Sequence, residues 1–474
     1  MAAPGVLVRQ LAAEALAELL EQGRSLRAVL PSRLQRLADP RDRALLEALL
    51  FESCRWMGRY QVALQALLQR PLPRRHRRIQ ALLLIGMVQL DVLELPAHAA
   101  LSSTAEVARG WQLPGMVGLV NAVLRRWLRE RGQLAVRLDA DPQARWAHPR
   151  WLIERLQADW GEQTAQAVLE ANNRAGPLWL RLHPSAGERG SYLQALRDLG
   201  VEATPGPEGW PRALRLESPR PPTELPGWEA GELAVQDAAA QAVAGLLPLR
   251  PGMRVLDACA APGGKSAALL EAEPALDLLA LDCDPQRLAQ MRRGLARLGH
   301  APSLRLADAA HPASWWDGRP FDLILLDVPC SGSGVIRRQP DIKWHRREQD
   351  LDALCAAQAR LLDACWPLLA AAGRLLYTTC SVLRAENAAQ IDAFLTRTPE
   401  AEVLALPARL GQACGVGRQR LPGELDMDGF FYAALRRRAA GGGERSSAAR
   451  PDGAVVATSS GLPGAPEAMP SGWT

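Results

Sequence analysis

Val255-Leu-Asp-Ala-Cys-Ala-Ala-Pro-Gly-Gly-Lys265 reads as a strand, a glycine-bearing turn and the opening of a helix. Consecutive glycines let the backbone come close to a ligand and leave the amides at the helix start free to meet it. The G-x-G-x-x-G pattern of a dinucleotide site is absent. Downstream, apolar runs at 254–257, 278–282, 304–307, 323–327, 373–377 and 429–435 alternate with helical periodicity at 261–271, 285–298, 350–369 and 385–396. That alternation predicts an α/β domain with a mainly parallel, doubly wound sheet and its ligands at the C-terminal strand ends. Five chemically capable residues fall at such ends: Asp282, Asp308, Asp327, Cys330 and Cys380.

The other segments have a different grain. Residues 1–140 carry apolar residues at helical spacing, broken by Pro31, Pro40, Pro71, Pro73, Pro96 and Pro114, and predict an all-α bundle. Residues 141–230 read as a small connecting α+β module and 231–438 as the α/β domain. The Gly, Ser, Ala and Pro-rich segment 439–474 reads as a disordered tail. The formal charge of +5 is unevenly spread: residues 1–150 hold 22 Arg against 13 acids, a net +9, which leaves −4 for the rest. Genome-wide bias toward Arg would act on all segments alike, so the asymmetry points to a polyanionic partner. Arg74-Arg-His-Arg-Arg78, expected to open a helix, and Arg125-Arg-Trp-Leu-Arg-Glu-Arg131, expected to close one, are candidate phosphate contacts. A solvated helix end is the alternative for each.

Eight cysteines without C-x-x-C spacing argue against disulfides and a zinc centre, so the expectation is no metal and a reducing, cytoplasmic setting. No run approaches the roughly 18 apolar residues of a membrane span. Cys54, Cys259, Cys283, Cys355, Cys365 and Cys414 read as small buried hydrophobes. Cys259 and Cys283 also lie at apolar strand ends, where the small hydrophobe is the preferred reading; Cys330 and Cys380, each closing an apolar strand-like run, are the candidate nucleophiles. Two thiols beside a cofactor-shaped loop suit covalent catalysis, the chemistry needed to methylate carbon-5 of a pyrimidine. Asp282 can accept from ribose hydroxyls and Asp308 from an adenine amino group, with an ordinary turn or cap as the alternative for each. Beyond Cys330, the run Arg337, Arg338, Lys343, Trp344, His345, Arg346 and Arg347 is expected to touch nucleic acid. The residues themselves do not rank the two cysteines.

Asp257-Ala-Cys-Ala-Ala-Pro-Gly-Gly-Lys265, Asp327-Val-Pro-Cys-Ser-Gly-Ser-Gly334, Pro340-Asp-Ile-Lys-Trp344, Tyr377-Thr-Thr-Cys-Ser381 and Asp428-Gly-Phe-Phe431 together resemble the RNA (cytosine-5)-methyltransferases. The resemblance implies a Rossmann-like domain that uses S-adenosylmethionine. Its donor site would comprise Cys259, Ala260, Ala261, Pro262, Gly263, Gly264 and Lys265 with Asp282, Asp308 and Asp327. It implies Cys380 as nucleophile, Cys330 in product release, Asp327 on the cytosine, and Lys265 near donor or substrate. Val328 stands where the family usually has Ala. Asn121-Ala-Val-Leu-Arg-Arg126, His148-Pro-Arg-Trp151, Asn172-Asn173 and Val235-Gln-Asp237 are similar to the bacterial 16S ribosomal RNA branch, which carries a NusB-type N-terminal domain. That branch implies 16S rRNA as partner, with no protein partner inferable, and cytosine 967 as target. Methylation of transfer RNA or another ribosomal site, or a non-catalytic antitermination factor, are the competing readings.

Overall fold

The computed structural model describes residues 5–218 and 220–438; the expectation of a disordered tail at 439–474 lies outside them. The chain opens with α1 (Val6–Gln22), α2 (Leu26–Leu34), α3 (Pro40–Leu67), α4 (Arg77–Asp91), α5 (Ala97–Gly110), α6 (Pro114–Ala140) and α7 (Pro142–Trp146). Their apolar faces meet in one core that includes Leu11, Leu16, Leu49, Leu83, Val120 and Ala144. Starts follow local chemistry: Asp39 accepts from the Arg41 N–H and Pro40 takes the first position of α3.

Next come α8 (Arg150–Trp160), α9 (Glu162–Asn172), β1 (Leu178–Leu182), α10 (Arg189–Asp198), β2 (Ala203–Pro205), β3 (Ala213–Leu216) and β4 (Leu233–Val235). The four strands form an antiparallel sheet in the order β2-β3-β1-β4. β4 lies past the expected boundary at 230, yet pairs with β1 through Leu180 and Val235. α8 and α9 instead share a core with Ile336, Leu351 and Leu383 of the α/β domain.

The remainder is α11 (Ala238–Gln241), β5 (Arg254–Asp257), α12 (Gly264–Ala272), β6 (Asp277–Asp282), α13 (Pro285–Arg297), β7 (Ser303–Leu306), β8 (Phe321–Asp327), α14 (Ile342–His345), α15 (Asp350–Cys365), β9 (Leu369–Thr379), α16 (Ala388–Arg397), β10 (Ala401–Leu404), β11 (Gln412–Cys414), β12 (Gly417–Arg420) and β13 (Phe430–Arg437). The sheet runs β11-β12-β13-β9-β8-β5-β6-β7, with β10 also against β13. β9, β8, β5, β6 and β7 are parallel, whereas β13, β12 and β11 are antiparallel additions. Apolar cores cover both faces, as a parallel sheet requires.

Three expectations fail, each for a tertiary reason. The Arg125–Arg131 cluster does not close a helix: α6 runs on to Ala140, Trp127 is buried, Arg126 bonds Glu130 and the Leu67 carbonyl, and Arg131 pairs with Asp91. Within the 337–347 stretch Arg337 and Lys343 are buried rather than open to a nucleic acid, while Arg347 stays exposed. Lys343 is 1% exposed, and its Nζ donates to the carbonyls of Arg55 (2.6 Å) and Ala147 (2.9 Å) and to Asn173 Oδ1 (3.0 Å). Trp344 Nε1 donates to the Cys54 carbonyl, Arg55 donates to the Arg337 carbonyl, and Asp341 accepts from the Leu26 N–H. This segment therefore docks the helical bundle onto the α/β domain. Cys283 is exposed rather than a buried hydrophobe.

Candidate active site

β8 and β9 lie side by side with Asp327 opposite Thr378. Each chain then leaves the sheet on the ligand side, so residues fifty positions apart converge. Cys330 Sγ and Cys380 Sγ are 3.4 Å apart. Asp327, at the end of β8, accepts from Lys265 Nζ at 2.6 Å and from Thr378 Oγ1 at 2.9 Å. Lys265 also lies over the Phe430 ring, 5.1 Å from its centroid. Burial works against the Lys265 ammonium, but the Asp327 carboxylate outweighs it, and the charges of Cys380 and Asp257 add to the effect. The amine is held above the usual lysine range. The Cys330 thiol is pushed well up, first by its hydrogen bond with Cys380, then by burial and by the charges of Cys380 and Glu386.

The turn between β5 and α12 borders this cluster. Gly263 has φ +97°, and a Cβ there would stand 2.7 Å from Met291 Cγ, so glycine is required on both counts. No side chain caps α12, and its first amides can take a carboxylate. Asp257 is 1% exposed; its Oδ2 accepts from Ser266 Oγ at 2.6 Å and its Oδ1 has no partner. Burial pushes this carboxyl up to about 7, with Ser266 opposing and Asp327 and Asp282 reinforcing. The fold thus favours its protonated form, and the stability so gained is lost as pH rises through about 7.

Among the expected site residues, Lys265, Asp327, Cys330 and Cys380 come together. Ala260 and Ala261 are buried in the turn, and Cys259 is half-buried against the Leu256 and Leu281 side of the core. Asp282 is also buried, and its oxygens already accept from the Ala261 N–H (3.1 Å) and Asp284 N–H (3.0 Å). It shapes the turn that Pro262 and Gly264 complete. Asp308 stands apart, exposed, accepting from the Ala310 N–H and paired with His311. Sequence reasoning passed over Asp257 as a site residue although its motif was in hand, and it missed Glu386, which carried no local signal. A grouping of His183, Glu271 and His300 has metal-like proximity. Both Glu271 oxygens, however, are taken by Arg181 at 2.8 and 2.6 Å, which makes the contact an ion pair. Among the described residues no helix is long and apolar enough to cross a membrane.

With this geometry in view, comparison with known proteins divides the chain much as the fold does. Residues 7–129 match the NusB family, 148–223 the ferredoxin-like domain of RsmF/B-like methyltransferases, and 244–436 the family described as 16S rRNA methyltransferase RsmB/F. Ribosomal RNA small subunit methyltransferase B of Xanthomonas campestris pv. campestris is 51% identical over 434 residues, covering 91% of this chain and 97% of that protein. The protein of the same name from Salmonella arizonae is 44% identical over 426 residues, covering 90% and 97%. The crystal structure of PH0851 superposes with a TM-score of 0.75 at 21% identity, over 92% of this chain and all of that one. A methyltransferase homolog from Pyrococcus horikoshii gives 0.53 at 28% identity, over 62% and 97%.

Proposed function

Because the chain belongs to the RsmB/F family of 16S ribosomal RNA methyltransferases, we propose that it methylates carbon-5 of a cytosine in 16S rRNA, position 967, through a covalent adduct on Cys380. The observation that carries this reading is the pair of thiols 3.4 Å apart, with the Lys265–Asp327 ion pair near enough for Lys265 to act on Cys380. S-adenosylmethionine is the methyl donor, supplying an electrophilic methyl on a sulfonium. The chain offers what that ligand needs: uncapped amides of α12 for its carboxylate and the unpartnered Asp257 Oδ1 for its ammonium.

Carbon-5 of cytosine is a poor nucleophile until a thiolate adds to carbon-6. Cys380 is the better candidate for that thiolate. Lys265 lies close enough for its charge to interact with Cys380, and Cys330, 3.4 Å away, can donate its S–H to the Cys380 sulfur. Asp327, backed by Lys265 and Thr378, meets the polar edge of the base and supports the charge that develops on it. After methyl transfer a base removes the carbon-5 proton, the C5=C6 bond re-forms, and the electron pair of the C6–S bond returns to Cys380. Cys330 S–H stabilises that returning charge. The base must leave its helical stack to reach the thiols. For the RNA around it, Arg74, Arg75, His76, Arg77 and Arg78 line a cavity of about 420 Å³ on the helical bundle, suited to phosphates.

Two measurements test this reading. Bisulfite sequencing of 16S rRNA from a strain lacking the protein is expected to show loss of protection at one cytosine, position 967; unchanged protection there would overturn the site. The affinity for S-adenosylhomocysteine is expected to fall severalfold as pH drops below about 7, because protonation removes the Asp257 negative charge that attracts the ligand ammonium. In Asp257→Asn, calorimetry between pH 5 and 7 should show that slope gone; a wild-type slope in this variant would clear Asp257 of the role.

A further inference from the structure

Cys330 and Cys380 hang from different strands, so their spacing depends on whatever ties the two loops together. Glu386, in the short turn between β9 and α16, is fully buried. Its Oε1 accepts from the Ser331 N–H at 2.7 Å and from Gln358 Nε2 at 3.2 Å. Its Oε2 accepts from Ser331 Oγ at 2.6 Å and Ser381 Oγ at 2.5 Å. Ser331 directly follows Cys330, and Ser381 directly follows Cys380. One carboxyl group therefore holds the residue next to each thiol. Other bonds secure the remaining sides: Gln358 Nε2 donates to the Pro329 carbonyl (3.0 Å), Asn387 Nδ2 to the Ser381 carbonyl (2.9 Å), and the Gly334 N–H to the Cys380 carbonyl (2.8 Å). Burying a carboxyl is expensive unless its acceptors are met, and a core needing only stability could be filled by apolar groups.

We propose that Glu386 is a positioning residue of the methyl-transfer reaction, clasping the Cys330 and Cys380 loops through Ser331 and Ser381 so that Cys330 stands within reach when the Cys380 adduct breaks. This rests on the two-thiol reading above. Its charge has a second effect in the same direction, since it helps keep Cys330 a proton-bearing thiol. Attack by Cys380 needs only one loop in place; release needs both, so loosening the clasp impairs release first.

The test uses the full-length protein with 16S rRNA substrate. In Glu386→Gln an amide NH₂ must face one of the donors that the carboxyl accepted. The expected result is a kcat at least tenfold lower, KM for RNA and donor within threefold, and a covalent protein–RNA species that accumulates under denaturing electrophoresis. A merely structural role would lower the melting temperature and turnover without raising the adduct. Should Glu386→Gln fail to fold, the double variant Ser331→Ala, Ser381→Ala carries the same expectation, because it removes both hydroxyl donors and leaves the Ser331 N–H bond. Wild-type turnover in a folded variant, or lost turnover with no excess adduct, overturns the proposal. RNA bearing 5-fluorocytosine at the target separates the two readings, since fluorine cannot leave as a proton does and the adduct persists. If the wild type forms that adduct while the variants show no excess on ordinary RNA, only the clasp is wrong. If the wild type forms none, the covalent reading itself falls, and the clasp with it.

Discussion

Cys380→Ala is expected to reduce methyl transfer by on the order of 1,000-fold or more while donor affinity stays within about twofold. The first figure follows from the chemistry: without a thiolate on carbon-6 the ring has no enamine character at carbon-5, and no neighbouring group can substitute. Cys330 hangs from the other strand end, where burial and the Glu386 charge still work against its thiolate once Cys380 is gone. The second figure follows from the architecture. The donor turn hangs from β5 and α12, whereas Cys380 ends β9, and truncating one half-buried thiol disturbs neither. Methyl incorporation in a single turnover, beside donor binding by calorimetry, measures both. Turnover equal to the wild type would sink the assignment of Cys380.

Cys330→Ala should fail at the opposite end of the reaction. The first turnover is expected to proceed, with methyl incorporated near one equivalent, and multiple turnover to fall by roughly 100-fold or more as the enzyme remains bonded to its product. The sulfur of Cys380 leaves carbon-6 as an anion, and the Cys330 S–H 3.4 Å away is the donor placed to receive that charge. Alanine leaves it unsupported. Denaturing electrophoresis with labelled RNA should show a slow band in Cys330→Ala, little in the wild type, and none in Cys330→Ala, Cys380→Ala. Rapid turnover without adduct would instead assign release to another group.

Where an element's making is local, it was legible in the sequence. β5, β6, β7 and β8 appear within two residues of their apolar runs, and α13 begins where Asp284 accepts from the Gln286 and Arg287 N–H groups ahead of Pro285. The donor turn and the two thiols were equally legible, because strand-end position is a property of spacing. The basic stretches were not. Arg125–Arg131 looks like a helix end only when the apolar residues beyond it are weighed alone, and the packing of α6 on its neighbours carries the helix through. Lys343 belongs to a run of cations that would ordinarily be solvated. Its burial is supported by acceptors on three separate segments, at Arg55, Ala147 and Asn173, and no window of sequence contains them together. Glu386 was hidden for the same reason.

The order of strands and helices, the glycine that must follow Pro262, and the presence of two thiols on the ligand side were all determined by the sequence alone, since periodicity, φ restriction and chain spacing act over a few residues. Only the tertiary structure decided what surrounds the two thiols. The parallel register of β8 and β9 brings their sulfurs to 3.4 Å, Lys265 arrives from a third strand–helix turn, and Glu386 holds both loops from a fourth position. Electrostatic and hydrogen-bond energies fall off within a few ångströms. The surroundings of Cys330 and Cys380 therefore depend on distances that exist only once the sheet has formed.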